Sequence, residues 1–390
     1  ERRKQLMILH LFKMIMNRKK ANFFLLLQLF VTFTALFLCL GLNLKKLGNY
    51  FRPLGYQYED SWLVVLDFQH LPEEKKLEFS RLIQQKLQAV KEIELVSATQ
   101  VIPFQQLCNE EKITYNKQTS KALGFEVDEN YSTVLGIKLV EGRWFTAKDY
   151  VLNAIPVVLT EDLAERDFKQ GSPIGKTILI GDRPALIVGV SEAVRENTGA
   201  DLNPGFFIPL KTAATSYLLK SKNTDNFQLL EDQIRKTINS VGISEILIRQ
   251  NISLTLVKKY AQKTDYIQLS ITLLVFAFLL INVFLGISGV FSYNLSKRKA
   301  EVGLRVTMGA SPADILQQFL LESIVLTTLG ILPGLLIAIQ MLIMQYLDAY
   351  YGTLSILGAA LFLYLLMLSC AFYPSLKAAR LNPSDALHEE

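Results

Sequence analysis

The apolar residues of this chain are concentrated in four blocks, one near the N-terminus and three in the last third. Each block is long enough to cross a hydrocarbon core of about 30 Å as a helix. A long and more polar stretch, residues 45–262, separates the first block from the second. The pattern predicts an integral membrane protein with four transmembrane helices and a large extracytoplasmic domain inserted between helices 1 and 2.

The blocks and the segments between them give a complete set of predicted boundaries. The first block is too long, and too strongly preceded by charge, for a cleaved signal peptide. Residues 1–20 are predicted to form either an amphipathic helix in the membrane interface or a cytoplasmic extension of the first membrane helix. The other predicted segments are the first membrane helix (21–44), the extracytoplasmic domain (45–262), the end of a stalk with the second membrane helix (263–293), a cytoplasmic loop (294–312), the third membrane helix (313–344), a short external loop (345–353), the fourth membrane helix (354–374) and a cytoplasmic tail (375–390).

Lysine and arginine residues indicate the orientation of the chain. They cluster in the N-terminal segment, in the 294–312 loop and in the tail, whereas the external loop has none. The positive-inside rule therefore predicts that both termini and the 294–312 loop are cytoplasmic. Lys45, Lys46 and Arg52 oppose this rule, but they precede a long translocated domain, where it carries little weight. Because the net charge of +5 arises from clusters beside the apolar blocks, we expect contact with membrane lipid and no nucleic-acid partner.

The polar stretch predicts an α+β domain, in two lobes. A strand at 62–66, an amphipathic helix at 73–91 and a strand at 94–101 suggest a βαβ or split-βαβ unit. Gly181 and Asp182 lie between two further apolar runs and predict a hairpin. Thr160 is expected to cap a following helix with its side chain.

The sequence contains no set of residues that predicts catalysis. The segment Gly171–Thr177, G-S-P-I-G-K-T, has three residues between its glycines where a phosphate-binding loop has four, and it precedes a strand. His70 is the one histidine of the domain, and Cys108 has no cysteine partner there. We therefore expect no catalytic site, no metal site and no cofactor in this chain.

The basic loop predicts a short helix with an apolar side for a partner protein. Glu301 and Arg305 are four residues apart, in the favourable order for a helical ion pair. Apolar residues alternate with the charges, at Val302, Leu304, Val306 and Met308. The alternative is that the basic cluster is membrane-flanking charge. Ser311, Pro312 and Asp314 predict a capped start for the third membrane helix.

A few small or polar residues stand out within the membrane blocks. Close helix packing or a bend is predicted at two pairs of glycines, Gly286 with Gly289 and Gly330 with Gly334. The polar residues are Asn282 and Glu322. Glu322 either connects the loop to the helix bundle, through a loop arginine, or lies at headgroup level in contact with water.

Several of these segments together resemble the FtsX-like permeases of the MacB class of ABC transporters. Residues 296–311, S-K-R-K-A-E-V-G-L-R-V-T-M-G-A-S, are followed by I-L-Q-Q-F-L-L-E-S and G-I-L-P-G, and the tail Y-P-S-L-K-A-A-R-L-N-P-S-D-A-L matches the C-terminal pattern of the family. The polar domain resembles a MacB-type periplasmic core domain in L-G-I-K-L-V-E-G-R-W-F-T-A-K-D, P-V-V-L-T-E-D-L-A and P-I-G-K-T-I. The likeness covers nearly the whole chain. Val302 and Val306-Thr307 stand where isoleucine and a more basic or alanine-containing pair are common.

The resemblance implies a permease subunit in a bacterial inner membrane that acts as a homodimer or heterodimer with a separate cytoplasmic ABC ATPase. ATP and Mg²⁺ would be used by that ATPase, and motion would pass along a stalk to the outer domain for export or extraction of a lipoprotein, peptide, toxin or drug. A periplasmic or outer-membrane partner is also compatible with the family. By the same resemblance, the ATPase-coupling residues of this chain would be Ala300, Glu301, Val302, Gly303, Leu304, Arg305 and Met308. The alternative is a membrane-anchored sensor or scaffold that regulates an extracytoplasmic partner such as a cell-wall hydrolase.

Overall fold

The computed structural model describes residues 19–379 except 69–70, 106–108, 152–153, 169–170, 199–200, 223–226 and 243–245. The chain divides into two compact units, one of Glu1–Leu47 with Ile267–Glu390 and one of Gly48–Tyr266. Most of the predicted N-terminal interfacial helix and of the tail lies outside the described residues, as do His70 and Cys108.

The secondary structure alternates between long apolar helices and a β-rich insertion. The helices are α1 (Lys19–Tyr50), α2 (Glu73–Gln88), α3 (Tyr131–Val134), α4 (Glu161–Asp167), α5 (Phe227–Asn239), α6 (Leu254–Ser296), α7 (Lys299–Thr307), α8 (Pro312–Ile343) and α9 (Ala349–Ala379). The strands are β1 (Ser61–Asp67), β2 (Ile93–Thr99), β3 (Asn109–Tyr115), β4 (Gln118–Val127), β5 (Leu139–Gly142), β6 (Ile155–Thr160), β7 (Thr177–Ile180), β8 (Arg183–Ser191), β9 (Gly205–Pro209), β10 (Ser216–Ser221) and β11 (Leu247–Ser253).

Within the described residues, four helices are long and apolar enough to cross a membrane, and they lie in α1, α6, α8 and α9. This confirms the predicted architecture of four membrane helices with a large domain between the first and the second. The helix α6 is continuous from Leu254 to Ser296, so one helix leaves the polar domain and becomes the second membrane span. The helix α9 continues through Pro374 to Ala379, past the predicted end of the fourth span.

Lys45, which opposed the positive-inside rule, forms an ion pair of 3.1 Å with Asp348.

The first lobe of the polar domain contains four antiparallel strands in the order β11-β1-β10-β2, and the sheet continues into the second lobe where Thr99 of β2 pairs with Val127 of β4. Because β10 lies between β1 and β2, these two strands are parallel and β1-α2-β2 is the split form of the predicted βαβ unit. The segment β10-α5-β11 forms a second split unit around β1. The helices α2 and α5 pack on each other, and their Ile83 and Ile234 share a core with Val64 and Tyr217 of the sheet.

The second lobe is a ring of six strands, which the sequence patterns did not predict. Its order is β4-β3-β7-β8-β6-β9, and β9 also pairs with β4 in parallel. This last pairing closes the ring, so none of its strands is left as an edge. Ile113, Val157, Ile187 and Phe206 are buried together in its core. The β7–β8 hairpin is present as predicted at Gly181 and Asp182.

Thr160 has the extended backbone of a helix N-cap but makes no side-chain capping bond, so this expectation is wrong. Its hydroxyl instead donates to the Gly205 carbonyl and accepts from the Gly205 amide, both at 2.9 Å. Thr160 ends β6, which pairs with β9. The Thr160 hydroxyl is therefore bonded to the neighbouring strand β9 and does not cap the helix. Sequence spacing does not reveal that β9 is the neighbour of β6.

The two lobes are joined at the buried carboxylate of Asp128, which follows β4. It accepts hydrogen bonds from Gln84 Nε2 at 2.8 Å and from Ser97 Oγ at 2.6 Å. The amides of Ala98 and Asn130 donate to it at 2.7 and 3.1 Å. Asp128 therefore connects α2 and β2 of the first lobe to the end of β4 in the second.

The loop after β5 is held by a bidentate ion pair between Arg143 and Asp149, with N–O distances of 2.7 and 2.8 Å. The amide and hydroxyl of Thr146 also donate to Asp149. The hydrogen bonds from Arg143, and then those from Thr146, hold the pKa of Asp149 well below its ordinary value. The stability that this pair contributes is therefore present above the unfolded-state pKa of about 4 and lost as the pH falls further.

We expect the unfolding midpoint of the wild-type protein to fall as the pH is lowered below about 4, with a contribution from Asp149. The Asp149→Asn variant should lack that contribution and be less stable at pH 7 by about 1–2 kcal/mol, since Arg143 is partly solvated. Thermal unfolding of the detergent-solubilised chain measures both quantities. Asp182→Asn, at an exposed turn, is the matched control. An acid dependence identical in wild type and Asp149→Asn would contradict this prediction.

Candidate coupling site at helix α7

The helix α7 occupies the basic loop between the second and third membrane helices, as the sequence predicted. It begins where the Arg298 carbonyl accepts the Val302 amide at 3.0 Å. It ends at Gly309, whose φ of +92° lets the Ala310 amide return to the Arg305 carbonyl. The next helix, α8, starts with a capping box between Ser311 and Asp314 and has Pro312 as its first residue. Both predictions, the short helix and the capped start, are confirmed.

One face of α7 is part of the membrane-helix bundle. Val302 is buried in the same core as Phe319 of α8 and Met367 of α9. Gly303 is buried as well, and α7 packs against α9. These contacts fix the position of α7 on the bundle.

Glu322 forms a buried ion pair with Arg298, directly before α7. Arg298 Nη1 donates to Glu322 Oε2 at 2.7 Å, and the two side chains are 8% and 12% exposed. The guanidinium group of Arg298 also lies 5.1 Å from the centre of the Phe319 ring. Of the two alternatives for Glu322, the structure contains the ion pair with a loop arginine. A role of this pair in coupling stays a prediction.

A second polar contact joins the other end of α7 to α8. Arg305 Nη1 donates to Gln318 Oε1. Gln318 was missed in the sequence, although its position four residues before Glu322 places both on one face of α8. The side chains of Ala300 and Glu301 lie outside the described residues, so the Glu301–Arg305 pair stays a prediction.

The opposite face of α7 is apolar and exposed. Leu304 is 56% exposed, and Met308 just beyond the helix is 72% exposed. Their spacing of four residues places them side by side, turned away from Val302. The site therefore has a buried face that holds it to the bundle and an apolar surface, Leu304 with Met308, that is open in this single chain.

Three of the four predicted packing glycines lie against α1. A Cβ atom at Gly330 would be 2.6 Å from Leu29 Cβ, and one at Gly334 would be 2.6 Å from the Phe33 ring. Gly286 gives room to Gln28, whose amide donates to the Val283 carbonyl of α6 at 3.3 Å.

Among the described residues, no contact with another helix is found for the other two predicted bundle residues, Gly289 and Asn282. A Cβ atom at Gly289 would have no neighbour within 4 Å there, so its predicted packing role is not supported within this chain. Asn282 is exposed and donates to the Phe278 carbonyl of its own helix at 2.8 Å.

No metal site is apparent in the part of the chain that the structure describes, because no three His, Cys, Asp or Glu side chains there are grouped to hold an ion. The segment Gly171–Thr177 is a turn that enters β7, as predicted, and it opens no helix.

Comparison with known proteins identifies both units. Residues 57–237 match the MacB-like periplasmic core domain and residues 273–383 match the FtsX-like permease C-terminal domain. The macrolide export ATP-binding/permease protein MacB 1 of Aeromonas hydrophila is 30% identical over 68% of this chain and 43% of its own length. The corresponding MacB protein of Hahella chejuensis is 28% identical over 76% of this chain and 48% of its own length. The chain therefore spans less than half the length of these two curated relatives.

Among solved structures, the periplasmic region of MacB from Actinobacillus actinomycetemcomitans aligns with a TM-score of 0.39 and 18% identity. The alignment covers 54% of this chain and 94% of that one.

Proposed function

Because this chain belongs to the MacB-type, FtsX-like permeases of ABC transporters, we propose that it transmits ATPase-driven motion across the membrane to its extracytoplasmic domain. The single observation that carries this proposal is the exposed apolar pair of Leu304 and Met308 on a helix whose other face is fixed to the membrane bundle. A surface of this kind suits a protein partner, since the free energy falls when a partner covers apolar side chains and removes them from water.

The partner that we propose is a cytoplasmic ABC ATPase, which would bind ATP and Mg²⁺ and carry out hydrolysis. The names of the relatives include an ATP-binding function. We propose that a separate subunit supplies this function to the present chain. The permease would work as a homodimer or heterodimer in the bacterial inner membrane, with α7 and both termini in the cytoplasm. The positive-inside rule supports this orientation.

The substrate class that we propose is a compound or polypeptide exported from, or extracted at, the outer face of the membrane. It includes lipoproteins, peptides, toxins and drugs such as the macrolides for which the relatives are named. The continuous helix α6 supports the mechanism, because a helix without a break can carry motion from a membrane span to the domain it enters. No specific observation favours the sensor or scaffold alternative.

Purification of the tagged chain from its native membrane in mild detergent tests the proposal. We expect an ABC ATPase to co-purify, and we expect Leu304→Glu combined with Met308→Glu to reduce its recovery about tenfold, since two carboxylates would be desolvated at the interface. Mass spectrometry and the ATPase rate of the eluate measure the recovery.

The matched control is Tyr346→Glu, which alters a side chain as exposed as Met308 (72%) just beyond the other end of α8. Its recovery of the ATPase should equal that of the wild type. If the wild-type chain brings no ATPase, the proposed function is wrong. If the double variant keeps full recovery, the docking surface lies elsewhere.

A further inference from the structure

We infer that the Arg298–Glu322 ion pair passes a displacement of α7 to α8, so that α8 moves when the ATPase displaces α7. This inference rests on the proposed function, because it concerns the path that the proposed motion takes. It differs from transmission through α6 alone, which the family likeness suggests.

The contacts between α7 and α8 have a regular geometry. Arg298, Val302 and Arg305 follow one another at spacings of four and three residues and therefore share one face of the helical segment. Their neighbours on α8 are separated by one turn, at Gln318 and Glu322. The order is antiparallel, since the earlier arginine meets the later partner. Two polar contacts thus hold the two ends of α7 to a single turn of α8.

The burial of the Arg298–Glu322 pair makes this contact resistant to separation. Both side chains are largely removed from solvent, and Arg298 also lies on the Phe319 ring. Separation of the two groups would leave each charge in a poorly hydrated site, which is far less favourable than separation of an exposed pair. When α7 is displaced, movement of α8 with it is therefore the favoured response.

The turn between the two helices also limits their independent movement. Gly309 closes the end of α7, and the Ser311–Asp314 capping box opens α8 directly afterwards. Because backbone groups on both sides of the turn are hydrogen-bonded, a push on Leu304 and Met308 reaches α8 through a short, ordered connection.

A fluorescent probe at the far end of α8 tests the inference. The probe is attached to Tyr346→Cys after the three native cysteines (Cys39, Cys108 and Cys370) are replaced, and the full chain with its co-purified ATPase is placed in lipid nanodiscs. ATP with Mg²⁺ should change the emission of the probe in the parent protein. Arg298→Gln should reduce that change about tenfold while the ATPase remains bound, within the usual range of coupling between two sites.

Two further variants separate a role in positioning from a general structural role. Arg298→Lys, which keeps the charge, should retain more of the emission change than Arg298→Gln. Arg298→Gln combined with Glu322→Gln should lose no more than the single variant, because two partners of one contact act as a unit. Lys297→Gln is the matched control, since the Lys297 ammonium lies over the Tyr293 ring and not in the ion pair.

The possible results distinguish this inference from the proposed function. A full emission change in Arg298→Gln, or none in the parent protein with its ATPase bound, would overturn the inference and leave the ATPase assignment intact. A greater loss of the emission change in the double variant than in Arg298→Gln would also overturn the inference. Failure of the parent protein to bring an ATPase would instead remove the proposed function.

Discussion

Replacement of Gly330 by leucine is expected to lower the stability of the membrane bundle by more than about 3 kcal/mol, because α1 and α8 could no longer approach each other. The reason is the nature of the neighbouring atom. A side chain at Gly330 would begin 2.6 Å from Leu29 Cβ, and a Cβ atom moves only when its backbone moves. The whole contact along Leu29 and Phe33 would therefore have to separate, including the close approach at Gly334.

Thermal unfolding in detergent measures the effect at Gly330. The readout is the fraction of the protein that stays monodisperse as the temperature rises. The matched control is Gly289→Leu, because a Cβ atom at Gly289 meets no described atom within 4 Å. The control should unfold within about 1 kcal/mol of the wild type, as expected for a surface substitution. Equal stability of Gly330→Leu and Gly289→Leu would show that α1 does not pack on α8 as the structure has it.

Replacement of Asp128 by alanine is expected to destabilise the extramembrane domain by about 3–5 kcal/mol, because several buried donors would lose their acceptor at once. The donors are Gln84, Ser97 and the amides of Ala98 and Asn130. They come from both sides of the boundary between the two lobes, so the loss should weaken the attachment of one lobe to the other. Chemical unfolding of the full chain, read by tryptophan fluorescence, measures the change.

Asp162, a partly buried aspartate, offers a control for Asp128. Both carboxylate oxygens of Asp162 are buried without a hydrogen-bond partner among the described residues, so Asp162→Ala should cost less than about 1 kcal/mol. If the two alanine variants were equally stable, the hydrogen bonds to Asp128 would not be the reason for its burial.

The stability of the wild type should also depend on pH through Asp128. Burial raises the pKa of Asp128 to about 6, although hydrogen bonds from Ser97 and the Ala98 amide lower it. The folded state then binds the proton more tightly than the unfolded state, so stability should decrease as the pH rises from about 4 to about 6. Asp128→Ala should lack this dependence.

Local patterns in the sequence predicted most of the elements. Long apolar blocks predicted the four membrane helices, because a hydrocarbon core requires about 20 apolar residues in a helix. The residues Ser311, Pro312 and Asp314 predicted the start of α8, because capping involves neighbours in the chain. The closed ring of the second lobe escaped prediction, since it depends on the pairing of β4 with β9, whose residues are far apart in the sequence.

The candidate site was predicted in outline and completed only by the fold. The basic loop indicated a short helix, and Glu322 indicated a contact with a loop arginine. The sequence offers several arginines and lysines near Glu322, and spacing alone does not select among them. Helix packing selects Arg298, because it brings that guanidinium to Phe319 and Glu322 on another helix.

By itself, the sequence determined that the chain crosses a membrane, where its polar domain is inserted and which loop forms the short helix α7. Hydrophobicity, charge and capping fix these features, and each acts through residues close together in the chain. The tertiary structure alone decided that β10 splits the βαβ unit, that Gly330 and not Gly289 meets another helix, and that α7 is joined to α8 through Arg298. These features depend on contacts between surfaces that are far apart in the sequence. Close packing of helices and strands selects those contacts, and it exists only once the whole chain has folded.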